Sequence, residues 1–296
     1  MRPLELTRAL REIGPAWQRD ISAGSERTKQ LYAPWLEAAP KAGVKVTRDI
    51  SYGEGPRRVL DVYAPEGACG APVVAFVHGG AFWRGAKDVG EIYGNVLTWF
   101  ARQGCVGVNI EYRLADEAPW PQAGQDVADA CAWIRANIAA HGGDPRKVML
   151  IGHSAGGTHV ATYAYDPALG TFGRDIAALV LISARLHADV LPENPNVRGV
   201  RMYFGDDESL HRERSPLWHA AHSKLPVFVV NAEYENPLLD LYGLEFALEV
   251  GRVRRVAPLH VTMPDHNHMS VVAHFNTEED WLGQRLLEFM QAHCKG

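Results

Sequence analysis

The sequence predicts an α/β fold: a three-layer α/β/α sandwich around a mostly parallel, mixed sheet, with an N-terminal helical cap. Three observations carry that prediction. Short apolar runs alternate with helical patterns of about 10–15 residues, the order that builds parallel strands joined by crossover helices. The central runs are apolar throughout, as expected of strands buried on both faces. The first two strands instead alternate apolar and polar residues across a Gly/Pro turn, so they form an antiparallel hairpin that makes the sheet mixed.

The 296 residues are 47% hydrophobic, enough to bury a large core, and show no repeat, low-complexity tract or interdomain linker. Residues 1–296 are therefore expected to form one domain. A formal net charge of −5 argues against nucleic acid or an anionic membrane as the main partner. The opening Met1–Leu10 stretch lacks the apolar core of a signal peptide, and no run of about 18 apolar residues suggests a membrane span. Cys69, Cys105, Cys131 and Cys294 are scattered without a CxxC, which points to free thiols in a reducing cytoplasm.

In chain order, residues 1–43 read as amphipathic helix, broken at Gly14-Pro15 and resuming over Ser25 to Leu36. Trp17, Tyr32 and Trp35 suit a cap over part of an active-site mouth. Val44–Tyr52 and Arg58–Tyr63 alternate and form the hairpin; Pro72–His78 and Cys105–Tyr112 are buried strands flanking a helix from Asp88 to Arg102. Gln122 to Ala140 is helical, stopped by Gly142-Gly143-Asp144-Pro145, and the strand Val148–Ile151 follows. Ile176–Ser183, Leu225–Val230 and Pro258–Thr262 are three more strands, and Glu278 to His293 is a closing helix. Residues 185–224 are polar and irregular, a length that in a compact domain signals function or a small helix of its own; they read as an insertion above the strand ends.

The chemistry centres on Gly152-His-Ser-Ala-Gly156, a G-x-S-x-G turn between strand and helix. Small neighbours let the turn close and leave the Ser154 hydroxyl exposed, while the N-terminus of the following helix stabilises negative charge. Upstream, His78-Gly79-Gly80 follows a buried strand; the Gly79 and Gly80 amides, with that of Ala155, are candidate oxyanion donors. A serine hydroxyl needs a base, oriented in turn by an acid. In this fold class both follow the serine, acid first. Glu235 is preferred as the acid because it lies at the turn after a late strand, with Glu233 and Asp240 as alternatives. His268 is preferred as the base, at the start of a helix, with His266 supporting its loop. Two histidines two apart do not make a metal site without further ligands nearby, so neither metal nor cofactor is expected.

Together these residues resemble the α/β-hydrolases, in the His-Gly-Gly esterase/lipase group that includes hormone-sensitive-lipase-like carboxylesterases and kynurenine-formamidase-like enzymes. The similarity runs from about residue 44 onward through Asp61–Pro65, His78–Gly80, Glu111–Ala115, Gly152–Gly157, Ser215–Leu217 and His266–Ser270. It implies an eight-stranded sheet, Ser154 as nucleophile, Gly79, Gly80 and Ala155 as oxyanion donors, and an acid at the position of Glu235, where relatives commonly carry Asp. Ala81 in place of a third glycine and Asp116 in place of proline depart from the pattern. The expected activity is hydrolysis of small carboxylic esters through an acyl-enzyme, with Phe82, Trp83 and His153 against the substrate. The alternatives are an arylformamidase acting on a formyl amide and a non-catalytic small-ligand binder on the same scaffold. A homodimer is a further possibility.

Overall fold

The computed structural model describes residues 2–295. Helices α1 (Leu4–Ile13) and α2 (Ile21–Ala38) flank a 3-10 turn over Gly14–Arg19. The hairpin β1 (Val44–Ser51) and β2 (Val59–Pro65) leads into β3 (Ala71–Val77), α3 (Ile92–Arg102), β4 (Val106–Ile110) and α4 (Gln122–Asn137). Next come β5 (Gly143–His153), α5 (Ala155–Tyr165), β6 (Ala178–Ile182) and α6 (Val197–Phe204). The chain closes with β7 (Val227–Tyr234), α7 (Leu239–Arg254), β8 (Leu259–Asn267), α8 (Ser270–Ala273) and α9 (Trp281–His293).

Among the described residues the strands form one eight-stranded sheet in the order β1-β2-β4-β3-β5-β6-β7-β8. Only the β1–β2 and β2–β4 pairs are antiparallel. Alternation along the buried strands splits the core in two. Val73, Ala75, Val77, Leu150, Leu179 and Leu181 face a layer containing α4, α5 and α7. Val74, Phe76, Met149, Ile151, Val180 and Ile182 face the layer of α3, α8 and α9, which α1 and α2 extend. Leu6, Leu10 and Ile13 form the buried stripe of α1, at the i, i+4, i+7 spacing of one helix face.

Several boundaries differ from the sequence reading for local reasons. Helix α3 starts at Ile92 rather than Asp88 because Gly90 and Glu91 both take left-handed conformations, with φ of 56° and 61°. Gly142 alone stops the preceding helical stretch, at φ 85°, and Gly143 already belongs to β5. Strand β8 runs on to Asn267, which delivers the next residue, His268, directly at the strand end. The 185–224 stretch is ordered by α6 and by 3-10 turns at Glu208–Leu210 and Pro216–His222. No helix among the described residues is long and apolar enough to cross a membrane.

Candidate active site

Ser154 sits between β5 and α5 with φ 56° and ψ −119°, the strained turn that the glycine pattern predicts. A Cβ on Gly152 would lie 2.5 Å from Val160 Cγ2, and one on Gly156 would lie 2.3 Å from the Val77 carbonyl oxygen. Glycine is required at both by close approach. The Ser154 N–H donates to the Ile182 carbonyl at 3.0 Å, and its own carbonyl accepts from Arg185 N–H at 3.3 Å. The turn is thereby tied to β6 and to the first residue of the insertion.

Ser154 Oγ lies 3.0 Å from His268 Nε2, and His268 Nδ1 lies 2.7 Å from Glu235 Oε2. A carboxylate at Nδ1 fixes the tautomer: Nδ1–H donates to Glu235, and Nε2 is free to accept the serine proton. Glu235 directly follows β7 and is 2% exposed. Its Oε1 accepts from the Ser183 hydroxyl and from Ala232 N–H at 2.9 Å, and its Oε2 also accepts from Asn236 N–H at 3.3 Å. Four donors on one buried carboxylate fix its orientation. The alternatives point elsewhere: exposed Glu233 accepts from Asp265 N–H at 2.6 Å, and Asp240, in the first turn of α7, accepts from Leu241 N–H at 2.9 Å. His266 is also separate from His268. Its Nδ1 is paired with Ser270 Oγ at 3.0 Å and its Nε2 with Glu279 Oε1 at 3.1 Å.

The His78-Gly79-Gly80 turn follows β3 and is anchored from β4. His78 Nε2 faces Glu111 Oε1 at 2.8 Å, its ring stacks on Tyr112 at 4.4 Å, and the Tyr112 hydroxyl donates to the His78 carbonyl at 2.9 Å. Burial would raise the Glu111 pKa, but His78 and Arg57 outweigh it and lower the value. Arg57 Nη2 donates to Glu111 Oε1 at 2.6 Å and to the Gly85 carbonyl at 2.8 Å, closing the far side of the loop. Sequence reasoning gave Glu111 no role, although it lies in the quoted Glu111–Ala115 motif. Gly79 is pressed so close to Ser154 that a Cβ would meet Ser154 Cβ at 2.9 Å. Its backbone amide acts on the hydroxyl of Tyr93, whose pKa burial pushes up to about 12. Ala155, at the first position of α5, has an N–H without an intrahelical acceptor.

Two residues expected against the substrate belong to the core instead. Phe82 is 1% exposed, stacked on Tyr203 with centroids 4.9 Å apart. It turns inward because Ala81 and Phe82 both have positive φ, 55° and 74°. His153, also 1% exposed, places Nε2 2.9 Å from the His268 carbonyl and Nδ1 3.5 Å from the Tyr93 hydroxyl. Burial, then the neighbouring His268, holds its pKa well below the usual histidine range, so a neutral Nε2–H donates to the loop of His268. Trp83 remains half-buried, with the Arg198 and Arg84 guanidinium carbons 4.4 and 5.2 Å from its ring centroid. Helix α6 of the insertion meets the glycine turn directly, since Asn196 Nδ2 donates to the Ala81 carbonyl at 3.3 Å.

The sheet order, the serine turn after β5 and the carboxylate and histidine after β7 and β8 are the arrangement of an α/β-hydrolase. A BD-FAE family model matches residues 60–180. An arylesterase of Saccharolobus solfataricus is 30% identical over 225 residues, covering 69% of this chain and 71% of that protein. A rice protein described as a probable isoprenylcysteine alpha-carbonyl methylesterase is 40% identical over 118 residues, covering 40% of this chain. The match spans only 27% of the rice protein's length. A hyperthermophilic esterase from Pyrobaculum calidifontis superposes with a TM-score of 0.74 at 22% identity, covering 99% of both chains. The chain belongs to the α/β-hydrolase superfamily, in its hormone-sensitive-lipase-like esterase/lipase group with the His-Gly-Gly motif.

Proposed function

We propose that the protein is a carboxylesterase that cleaves small carboxylic esters through an acyl-enzyme on Ser154, without a cofactor. The observation that carries this reading is the hydrogen-bonded chain from Ser154 Oγ to His268 Nε2, 3.0 Å, and from His268 Nδ1 to Glu235 Oε2, 2.7 Å. His268 takes the serine proton as Oγ attacks the ester carbonyl, and Glu235 stabilises the imidazolium that forms. The carbonyl oxygen becomes an oxyanion beside the amides of Ala155 and Gly80, the Gly79 amide being engaged with the Tyr93 hydroxyl, and each donor is worth about 10²–10³ in rate. His268 then returns the proton to the leaving alcohol, and water repeats the sequence to release the acid.

An esterase of this group is consistent with the names of the relatives, an arylesterase and a methylesterase. Trp83, half-buried beside the glycine turn, is the aromatic residue we place against the substrate. The four free cysteines support a reducing, cytoplasmic location. The test is steady-state hydrolysis of nitrophenyl esters from acetyl to octanoyl, beside an aryl formamide, with Ser154→Ala as control. The proposal expects short esters to be preferred over the formamide and Ser154→Ala to lose at least about 10³ in kcat/KM. Equal turnover by Ser154→Ala, or a preference for the formamide, would overturn it.

A further inference from the structure

Side chains of residues 2–38 that bond beyond their own segment reach the turn carrying Glu235, the end of β8 before His268, and Glu279, which pairs with His266. At the acid loop, Trp17 Nε1 donates to Asn236 Oδ1 at 2.9 Å and Gln18 Nε2 donates to the Glu235 carbonyl at 3.2 Å. The Asn236 N–H in turn reaches Glu235 Oε2. At the histidine, the last three residues of β8, just before His268, are held. Arg11 Nε donates to Asp265 Oδ1 at 2.9 Å, and Arg2 Nε donates to Glu279 Oε2 at 2.8 Å, whose other oxygen faces His266. Thr28 Oγ1 accepts from Asn267 Nδ2 at 2.9 Å, and Asn267 Oδ1 accepts from the N–H groups of Met269 and Ser270 at 3.0 and 2.9 Å. Trp17 and Thr28 are 1% and 0% exposed, and the Thr28–Asn267 bond is shielded from water on both sides.

A lid would contact the substrate; this segment contacts the loops that carry the acid and the base. We propose that residues 2–38 are a brace that sets the distance and angle between Glu235 and His268, with Trp17 and Thr28 as its positioning residues. The inference rests on the proposed roles of Ser154, His268 and Glu235. Both segments come from the C-terminal third of the chain; β7 and β8 pair in parallel as far as Tyr234 and Asn267, and His268 N–H adds a bond to the Tyr234 carbonyl at 3.1 Å. The ladder sets the spacing of the two strands, and the N-terminal segment holds what lies at and beyond their ends: the turn of Glu235 and Asn236, and the Asn267 side chain that ties down Met269 and Ser270. Misplacing a reacting group by about 1 Å can cost about 10² in rate, and that loss falls on proton transfer rather than on substrate capture.

The two roles separate in kinetics. Trp17→Phe keeps an aromatic ring, smaller than the indole, and removes the donor; Thr28→Val keeps the shape and removes the hydroxyl. Each is expected to lower kcat about tenfold on every nitrophenyl ester from acetyl to octanoyl, with KM within about twofold of wild type. Thr28→Ser, which keeps the hydroxyl, is expected to restore kcat. If either buried variant fails to fold by circular dichroism, the surface pair Arg11→Met, Gln18→Ala decides, with an expected fall in kcat of about threefold at unchanged KM. Wild-type kcat in the folded variants, or a change confined to KM and chain-length preference, would overturn the brace. Ser154→Ala assayed alongside keeps the two ideas apart. If it is inactive while the brace variants are unimpaired, only the brace fails; if it is active, the site reading fails.

Discussion

Replacing Glu235 by Gln removes one charge and almost no volume, and the surroundings dictate how the amide can sit. In one orientation its NH₂ takes the place of Oε2, where it meets two donors, His268 Nδ1–H and Asn236 N–H. His268 must then move its proton to Nε2, and the nitrogen facing Ser154 ceases to be a base. In the other orientation the carbonyl faces His268, but the NH₂ meets the buried Ala232 N–H, 2.9 Å from the present Oε1. Leaving such a donor unpaired costs about 1–3 kcal/mol, and the imidazolium formed in the reaction loses its counter-charge. Either route removes stabilisation from the transition state. The expected loss in kcat lies between about 10² and 10⁴, the upper figure being the reference value for a triad acid changed to its amide. The assay is kcat and KM on a short nitrophenyl ester, with urea unfolding to verify that the variant is native. A folded Glu235→Gln enzyme within about threefold of wild-type kcat would refute the assignment of the acid.

Four further outcomes follow from the same geometry. Ser183→Ala removes the one side-chain hydroxyl on Glu235 Oε1 and should lower kcat about three- to tenfold with KM little changed, read in the same assay. Gly80→Ala would put a Cβ 1.7 Å from the Arg84 carbonyl oxygen, so the loop must move; kcat should fall about 10²–10³ while Ser154 remains present. Phe82→Ala empties the ring stack against Tyr203 and should cost about 3–5 kcal/mol in urea-unfolding stability. Acid should destabilise the fold through His159 and His274, whose burial lowers their pKa values to about 3. Their unfolded forms protonate near 6.5, so the stability they contribute is complete above about pH 6.5 and is lost as pH falls toward 3. At pH 5 the loss is about 2 kcal/mol per histidine, measurable as a lower urea midpoint than at pH 7.

The parts of the site that are local in sequence are legible there. Ser154 and the glycine turn announce themselves because backbone sterics allow few residues at those positions, and His268 is legible as a histidine that follows the last strand, although that strand reaches Asn267 rather than Thr262 and the helix opens at Ser270. Glu235 is separable from Glu233 and Asp240 by its place one residue beyond β7, since a strand's side chains alternate between faces while the first turn residue is free to reach across. Phe82 and His153 show the limit. Each adjoins a motif residue, yet positive φ at Phe82 turns it toward Tyr203, and His153, the last residue of β5, points toward Tyr93 and the His268 carbonyl. Glu111, Tyr93 and Ser183 escape sequence reasoning because their partners lie tens of residues away, and Trp17 and Tyr32, expected to line an active-site mouth, are buried instead, Trp17 bonding to Asn236. The N-terminal helices are predictable from their apolar stripe, but which loops they touch depends on the face of the sheet they cover.

The most direct measurement is to mix the enzyme with nitrophenyl acetate, quench in acid within milliseconds, and locate any added acetyl group by peptide mass analysis. The account predicts an acetyl group on Ser154, absent in Ser154→Ala and accumulating far more slowly in His268→Ala. Hydrolysis at the wild-type rate with no acetyl on Ser154, or with the label on another side chain, would contradict it.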